Sequence, residues 1–337
     1  MRAPIRFGYF LDFRNPPGSG LSFGEFYSEI FRQIEHAEQS GFDSVWLSEH
    51  HFTDDGYLAP IMPALAAVAS RTRRVSIGTF VLLAPFYHPL RLAEDAAFID
   101  VISGGRLRLG IGLGYRTEEF EVLGVPRSQR LGRTLEAIEI MRRAWTSERF
   151  SFEGKYFQFR NVRIVPRPIS QPHPELLWGG MAPKAIERGA ELGLSFACNL
   201  GAKEVAMYHE ALRRRGKDPA AYNVVSSRPI YVADSAAQAW ADIERPLMYQ
   251  AEVYAKWLSE AAGSDQQWFV PETAWLQRSA VFGTPQEVTT RLRAILEKNP
   301  MTELVVVMQL PGLEPAKAMQ SLQRFATDVM PALRHGT

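Results

Sequence analysis

Glu49, His50 and His51 stand side by side where the apolar run SVWL (44–47) ends. A strand that runs straight into three titratable side chains is what an active site at a strand end requires. One histidine in such a place is more often a hydrogen-bonded structural group, but two behind a glutamate shift the reading toward function. Imidazole and carboxylate also ligate metals. Adjacent residues of an extended chain point to opposite faces, however, so His50 and His51 do not grip one ion together. The chain has neither cysteine ligand pairs nor a HExxH helix, so no metal is assigned. Acid–base work by one histidine is the better reading.

The segment LRLGIGLGY (107–115) alternates Leu109, Ile111 and Leu113 on one face with Gly110, Gly112 and Gly114 on the other. A face without side chains would let a flat cofactor approach the backbone, and tight packing is the alternative. The GxGxG spacing is a poor dinucleotide fingerprint, and it follows the fourth apolar run rather than the first. In LWGGMAP (177–183), Gly179 and Gly180 lead to a helix start near Pro183. Free amides at such a point suit a phosphate.

These groups sit in a repeating pattern of β-rich run, loop and amphipathic helix. The runs are 5–11, 44–47, 75–83, 107–113, 176–178, 195–198, 224–232 and 304–310. Eight strand–helix units predict an α/β fold, a TIM (β/α)8 barrel, rather than an open doubly wound sheet. Residues 1–337 read as a single domain. Residues 150–168 read as an inserted β-hairpin turning at Glu153-Gly154. Residues 258–282 read as an irregular, lid-like loop.

Composition narrows the partners. Lys plus Arg number 38 against 37 Asp plus Glu, so no bulk attraction to nucleic acid or anionic membrane is expected. No apolar stretch reaches membrane-spanning length and no signal peptide is apparent, so a cytoplasmic location is expected. The single cysteine, Cys198, excludes an intrachain disulfide.

The runs GFDSVWLSEHHF (41–52), VSIGT (75–79) through HPLR (88–91), and ISGGRL (102–107) onward resemble the bacterial luciferase-like flavin monooxygenases. The resemblance implies a TIM barrel, reduced FMN as co-substrate, dioxygen, a separate flavin reductase and a homodimer. It implies that His50 is catalytic and that a non-proline cis peptide lies under the flavin at Phe80-Val81. With it, Glu49, Phe80, Val81, Gly110, Gly112, Gly114, Gly180, Met181 and Ala182 are expected at the cofactor. His51, Phe52, Tyr57, Tyr115 and Trp275 are expected around a small apolar substrate such as an aldehyde, ketone or terpene. Three positions depart from luciferase: Leu113 replaces a phosphate-binding arginine, Gly112 a reactive cysteine and Ala182 a serine. Two alternatives remain, a deazaflavin-dependent hydride-transfer enzyme on the same fold and a non-catalytic flavin binder.

Overall fold

A computed structural model describes residues 4–199, 201–262 and 270–334. Among the described residues eleven strands form: β1 (Arg6–Leu11), β2 (Ser44–Leu47), β3 (Ser76–Leu83), β4 (Leu107–Gly112), β5 (Phe150–Glu153), β6 (Gln158–Val162), β7 (Glu175–Trp178), β8 (Ser195–Ala197), β9 (Val224–Val232), β10 (Val281–Gly283) and β11 (Glu303–Val307). Eight of them close on themselves in the order β9-β11-β1-β2-β3-β4-β7-β8, and β8 returns to β9 through Phe196 opposite Val224. All of these pairings are parallel. The expected TIM barrel is therefore the fold.

The amphipathic runs become the outer helices for local reasons. Ser22 caps the helix Phe23–Gln39 and exchanges hydrogen bonds with Glu25, while Ile30, Ile34 and Ala37 bury one stripe against the barrel. Pro89 opens the helix Pro89–Ser103, and Gly104 closes it at φ 74°. The helical sequence after β4 forms two helices, Thr117–Val122 and Arg130–Thr146. The break falls at Gly124, whose φ is 66°, and Pro126 follows.

The barrel's lower layer is polar. Glu303 accepts from Arg108 Nη1 and Trp46 Nε1, each at 2.6 Å, and Arg108 Nε donates to Glu175 at 2.6 Å. Burial would raise both carboxyls, but the Arg108 charge and hydrogen bonds hold them below their usual range. Glu175 and Glu303 begin their strands and Arg108 is second in its own, so this cluster braces the end opposite the site. Above it, Phe10, Leu177, Val225 and Val305 fill the interior.

The two insertions differ in outcome. Residues 150–162 form the expected hairpin, β5 antiparallel to β6. Where 258–282 is described, most of the expected irregular loop is helical instead. The helix Ala236–Ala262 runs into it, and the helix Thr273–Ser279 and β10 follow. Residues 263–269 of that segment lie outside the described residues. Tyr254 and Trp257, three apart, share one face of the long helix and dock on the barrel mouth, which extends the helical pattern past residue 258.

Candidate active site

β2 carries its chain past Leu47 onto the C-terminal rim, where Ser48, Glu49 and His50 are all buried. His50 Nδ1 lies 2.9 Å from Oε1 of Glu119, on the short helix that follows β4. The same oxygen accepts the His51 backbone N–H at 2.9 Å. Arg116 Nη1 stands 3.5 Å away and also donates to the His51 carbonyl. Burial pushes the Glu119 carboxyl up, but hydrogen bonds from His50 and His51 and the Arg116 charge outweigh it and hold it low. An ionised Glu119 accepts only, so the proton sits on Nδ1 and Nε2 is left to work. Glu119 was missed in the sequence, where nothing links TEEF to EHH except that each follows a strand end.

His51 turns the other way. Its Nε2 is 2.8 Å from Glu49 Oε1, which also accepts from the Tyr87 hydroxyl at 2.6 Å, while Glu49 Oε2 takes the Leu83 N–H at 2.7 Å. The two imidazoles thus diverge to separate carboxylates, as strand alternation requires. Glu49, expected at the cofactor, has both oxygens taken by the protein and ties the end of β3 to β2.

Aromatic rings enclose His50. Its ring centroid is 4.9 Å from Tyr57, 5.5 Å from Tyr115, 4.9 Å from Trp257 and 6.2 Å from Tyr254. Tyr57 and Tyr115 were expected there. Trp257 and Tyr254 were not. Arg116 lies over Trp257 at 4.3 Å. Trp275, expected in this shell, stands on the helix Thr273–Ser279 and is 41% exposed. Phe52 projects outward, 47% exposed at φ 55°, with its ring near His51.

The glycine strand plays a different part from the one expected. A Cβ at Gly110 would strike the Thr79 carbonyl oxygen, and one at Gly112 would come 2.5 Å from Val81 Cγ2. A Cβ at Gly179 would stand 2.9 Å from Val81 Cγ1. Gly110, Gly112 and Gly179 therefore seat β3 and the Val81 side chain, and a flat ligand would rest on Val81 rather than on bare glycine backbone. The peptide Phe80-Val81 is cis, as the resemblance implied. The pairing of β3 with β4 slips between Thr79 and Leu82, which lifts Phe80 and Val81 out of register. Gly114, at φ 71°, turns the chain beside Phe120.

At the end of β7, Gly179 donates to the Ile111 carbonyl at 2.8 Å, and Gly180 adopts φ 150°. The Gly180 amide turns to the Cys198 sulfur, a thiol that burial pushes up to about 11. Met181 is 62% exposed, and Ala182 leads into the helix Pro183–Leu192 without any side-chain cap. Pro183 carries no N–H and the Ala185 amide bonds to the Ala182 carbonyl at 2.8 Å, which leaves the Lys184 amide open in the first turn. Beneath it the buried Trp178 Nε1 has no hydrogen-bond partner and would lie 4.0 Å from a Cβ on Gly180.

Known proteins match the chain over most of its length. A flavin-dependent trigonelline monooxygenase, oxygenase component, of Acinetobacter baylyi is 27% identical, covering 91% of this chain and 90% of its own. An F420-dependent glucose-6-phosphate dehydrogenase of Amycolatopsis mediterranei is 28% identical, covering 91% and 94%. The crystal structure of the monooxygenase RslO1 from Streptomyces bottropensis superposes with a TM-score of 0.85 at 26% identity, covering 97% of this chain and 99% of that one. The family profile for luciferase-like monooxygenases matches residues 5–303, the span that carries every site element described above, and the chain belongs to that family.

Proposed function

We propose that the protein is a flavin-dependent monooxygenase that oxygenates a small organic substrate, with His50 as its acid–base group. The observation that carries this reading is the buried His50–Glu119 pair at the barrel mouth, which leaves His50 Nε2 facing an aromatic enclosure. Reduced FMN supplies, when bound, the electrons that allow one atom of dioxygen to enter the substrate while the other leaves as water.

The residues present fit that cofactor. Phe80 and Val81 offer a half-buried apolar platform held by three glycines. The uncapped helix start at Met181 and Ala182, with the partnerless Trp178 N–H, suits an anionic end. Glu119 holds His50 in one orientation so that Nε2 gives or takes a proton at the reacting group. Tyr57, Tyr115, Tyr254 and Trp257 exclude water from the space around it.

The name of the Acinetobacter relative, an oxygenase component, supports a separate reductase as partner. A homodimer is supported by the helix Pro89–Ser103, which leaves Phe98 53% exposed with Ile102 beside it at 41%. Among the described residues, no helix is long and apolar enough to cross a membrane, and we place the enzyme in the cytoplasm. A second reading, hydride transfer to a deazaflavin, is favoured by the F420-dependent relative of equal coverage. Oxygen consumption separates the two. The purified protein, given reduced FMN by an added reductase, should couple oxygen uptake to substrate oxidation, and His50→Ala should not. Uptake indistinguishable from the reductase alone, across a substrate panel, would refute the monooxygenase reading.

A further inference from the structure

We propose that the enclosure around His50 is built for a hydroxylated aromatic substrate, whose phenolic oxygen is held by Arg14 and Tyr115. This rests on reading His50 as the reaction centre and departs from the small apolar substrates, such as an aldehyde, ketone or terpene, expected of the sequence.

Arg14 stands just beyond β1 and is 1% exposed. One edge of its guanidinium is taken: Nε donates to Asp55 Oδ2 at 2.7 Å, and Nη2 lies 2.7 Å from the same oxygen. Nη1 and Nη2 are both buried, and neither makes a hydrogen bond of good geometry, Nη2 meeting Asp55 only as an ion pair. Arg14 also shares rings with His50. Its Cζ is 5.2 Å from the Tyr57 centroid, 5.9 Å from Tyr254 and 5.8 Å from Trp257, and these same rings surround His50. Tyr115 packs on His50 from β4's end, and its buried hydroxyl is likewise without a partner. Burial raises that hydroxyl's pKa, and Arg14 is among the charges close enough to oppose the rise. Asp12 Oδ2, two residues from Arg14, is a third buried atom without a partner.

These three atoms narrow the ligand. Buried polar atoms are rarely left unpaired, because each then carries its full desolvation cost. Asp12 and Asp55 both stand beside Arg14 and already balance its charge, so its open nitrogens suit a neutral oxygen rather than a third carboxylate. A hydroxyl bonds both ways: its oxygen accepts from Arg14 Nη1, and its hydrogen is given to Tyr115 Oη or Asp12 Oδ2. A carbonyl or ether can accept from Arg14 and from the Tyr115 hydroxyl but gives no hydrogen to Asp12 Oδ2, and an aliphatic chain would leave all three atoms unmet. The surrounding tyrosines and tryptophan present edges and faces that favour a flat ring.

The test is direct binding to the full-length protein, read by ligand-observed NMR, with four molecules of one size. These are 4-ethylphenol, ethylbenzene, 4-ethylanisole and 4-ethylcyclohexanol. We expect 4-ethylphenol to bind about 10-fold or more tightly than each of the others, as a hydrogen bond to a charged group allows. Tyr115→Phe, which keeps the ring, and Arg14→Lys, which keeps a cation beside Asp55, should each cut the advantage over ethylbenzene to about 3-fold or less, the share left to the remaining bonds. Equal affinity for 4-ethylphenol and ethylbenzene would overturn the proposal. So would an advantage unchanged in Tyr115→Phe, the variant least able to disturb folding, or tighter binding of a straight-chain aldehyde. Oxygen uptake with reduced FMN is measured separately. Uptake without a phenol preference removes only this substrate class. A phenol preference without uptake removes the monooxygenase reading and leaves the substrate site standing.

Discussion

His50 and Glu119 are 69 positions apart in sequence and 2.9 Å apart in the fold. They leave the ends of β2 and β4, which flank β3, so the parallel pairing of these three strands is what brings them together. The carboxylate fixes which nitrogen of the imidazole carries the proton, and this makes Glu119 a positioning residue for His50.

Glu119→Gln should therefore lower turnover by about 10²-fold or more, because an amide can donate to Nδ1 and favour the wrong tautomer. Cofactor affinity should hardly move, and the pH profile of kcat should shift. A merely structural Glu119 would instead change melting temperature with an unaltered pH profile in the folded fraction. His50→Ala should cost about 10²–10⁴ in kcat, the usual share of a placed acid–base group. Near-normal turnover by that variant would remove His50 from the account.

The glycine strand makes a packing prediction. Gly112→Ala puts a methyl 2.5 Å from Val81 Cγ2, a stiff, short side chain that must be displaced. Overpacking of this kind destabilises by about 1–3 kcal/mol, and cofactor binding should weaken with it. Adding Val81→Ala to Gly112→Ala should restore stability in part, measured by thermal melting and flavin titration. Independent, additive effects of the two substitutions would show that the glycine does not seat Val81.

Asp12 supplies a pH test of opposite sign to the usual carboxylate. Burial raises it from 3.8 to about 6 despite the lowering effect of Arg14. The native state then binds the proton more tightly than the unfolded chain does. Stability falls as pH rises through that interval, by a total on the order of 3 kcal/mol. Asp12→Asn should flatten this fall and gain stability at pH 7 relative to the wild type, measured by denaturant unfolding at pH 4, 5, 6 and 7. A wild type whose stability rises across this range, with Asp12→Asn following it, would show that Asp12 is not held protonated.

The loop after β7 predicts how FMN is gripped. FMN should bind more tightly than riboflavin by about 1.5–3 kcal/mol, from amide bonds to a charged phosphate. Trp178→Phe should narrow that gap by removing the partnerless indole N–H. An unchanged gap would free Trp178 of any part in anion binding.

Much of this was legible in the residues, and the limits have physical causes. Period-2 runs alternating with amphipathic helices announced the barrel, because each unit writes its own local pattern. His50 and Tyr115 were readable because they closely follow strand-like runs, and Tyr57 because it is an aromatic residue in the loop after the second run. Glu119 was not, since its role comes from a contact between sectors that no local pattern encodes. Trp257 was hidden for a related reason: AAGSDQQWF suggested a loop, and the helix that precedes it is extended by docking on the rings around His50. The glycines were correctly singled out, yet their face is filled by Val81 from the next strand, which only the register slip in β3 reveals.

The central claim is that this mouth holds a flavin for oxygen chemistry at His50. Its most direct test is a paired anaerobic titration of the purified protein with reduced FMN and with reduced F420, read by the spectral change of each cofactor. The account predicts saturable, micromolar-range binding of reduced FMN, no comparable binding of reduced F420, and the same FMN affinity in His50→Ala. Tight binding of F420 with none of FMN would contradict it and assign the His50–Glu119 pair to hydride transfer.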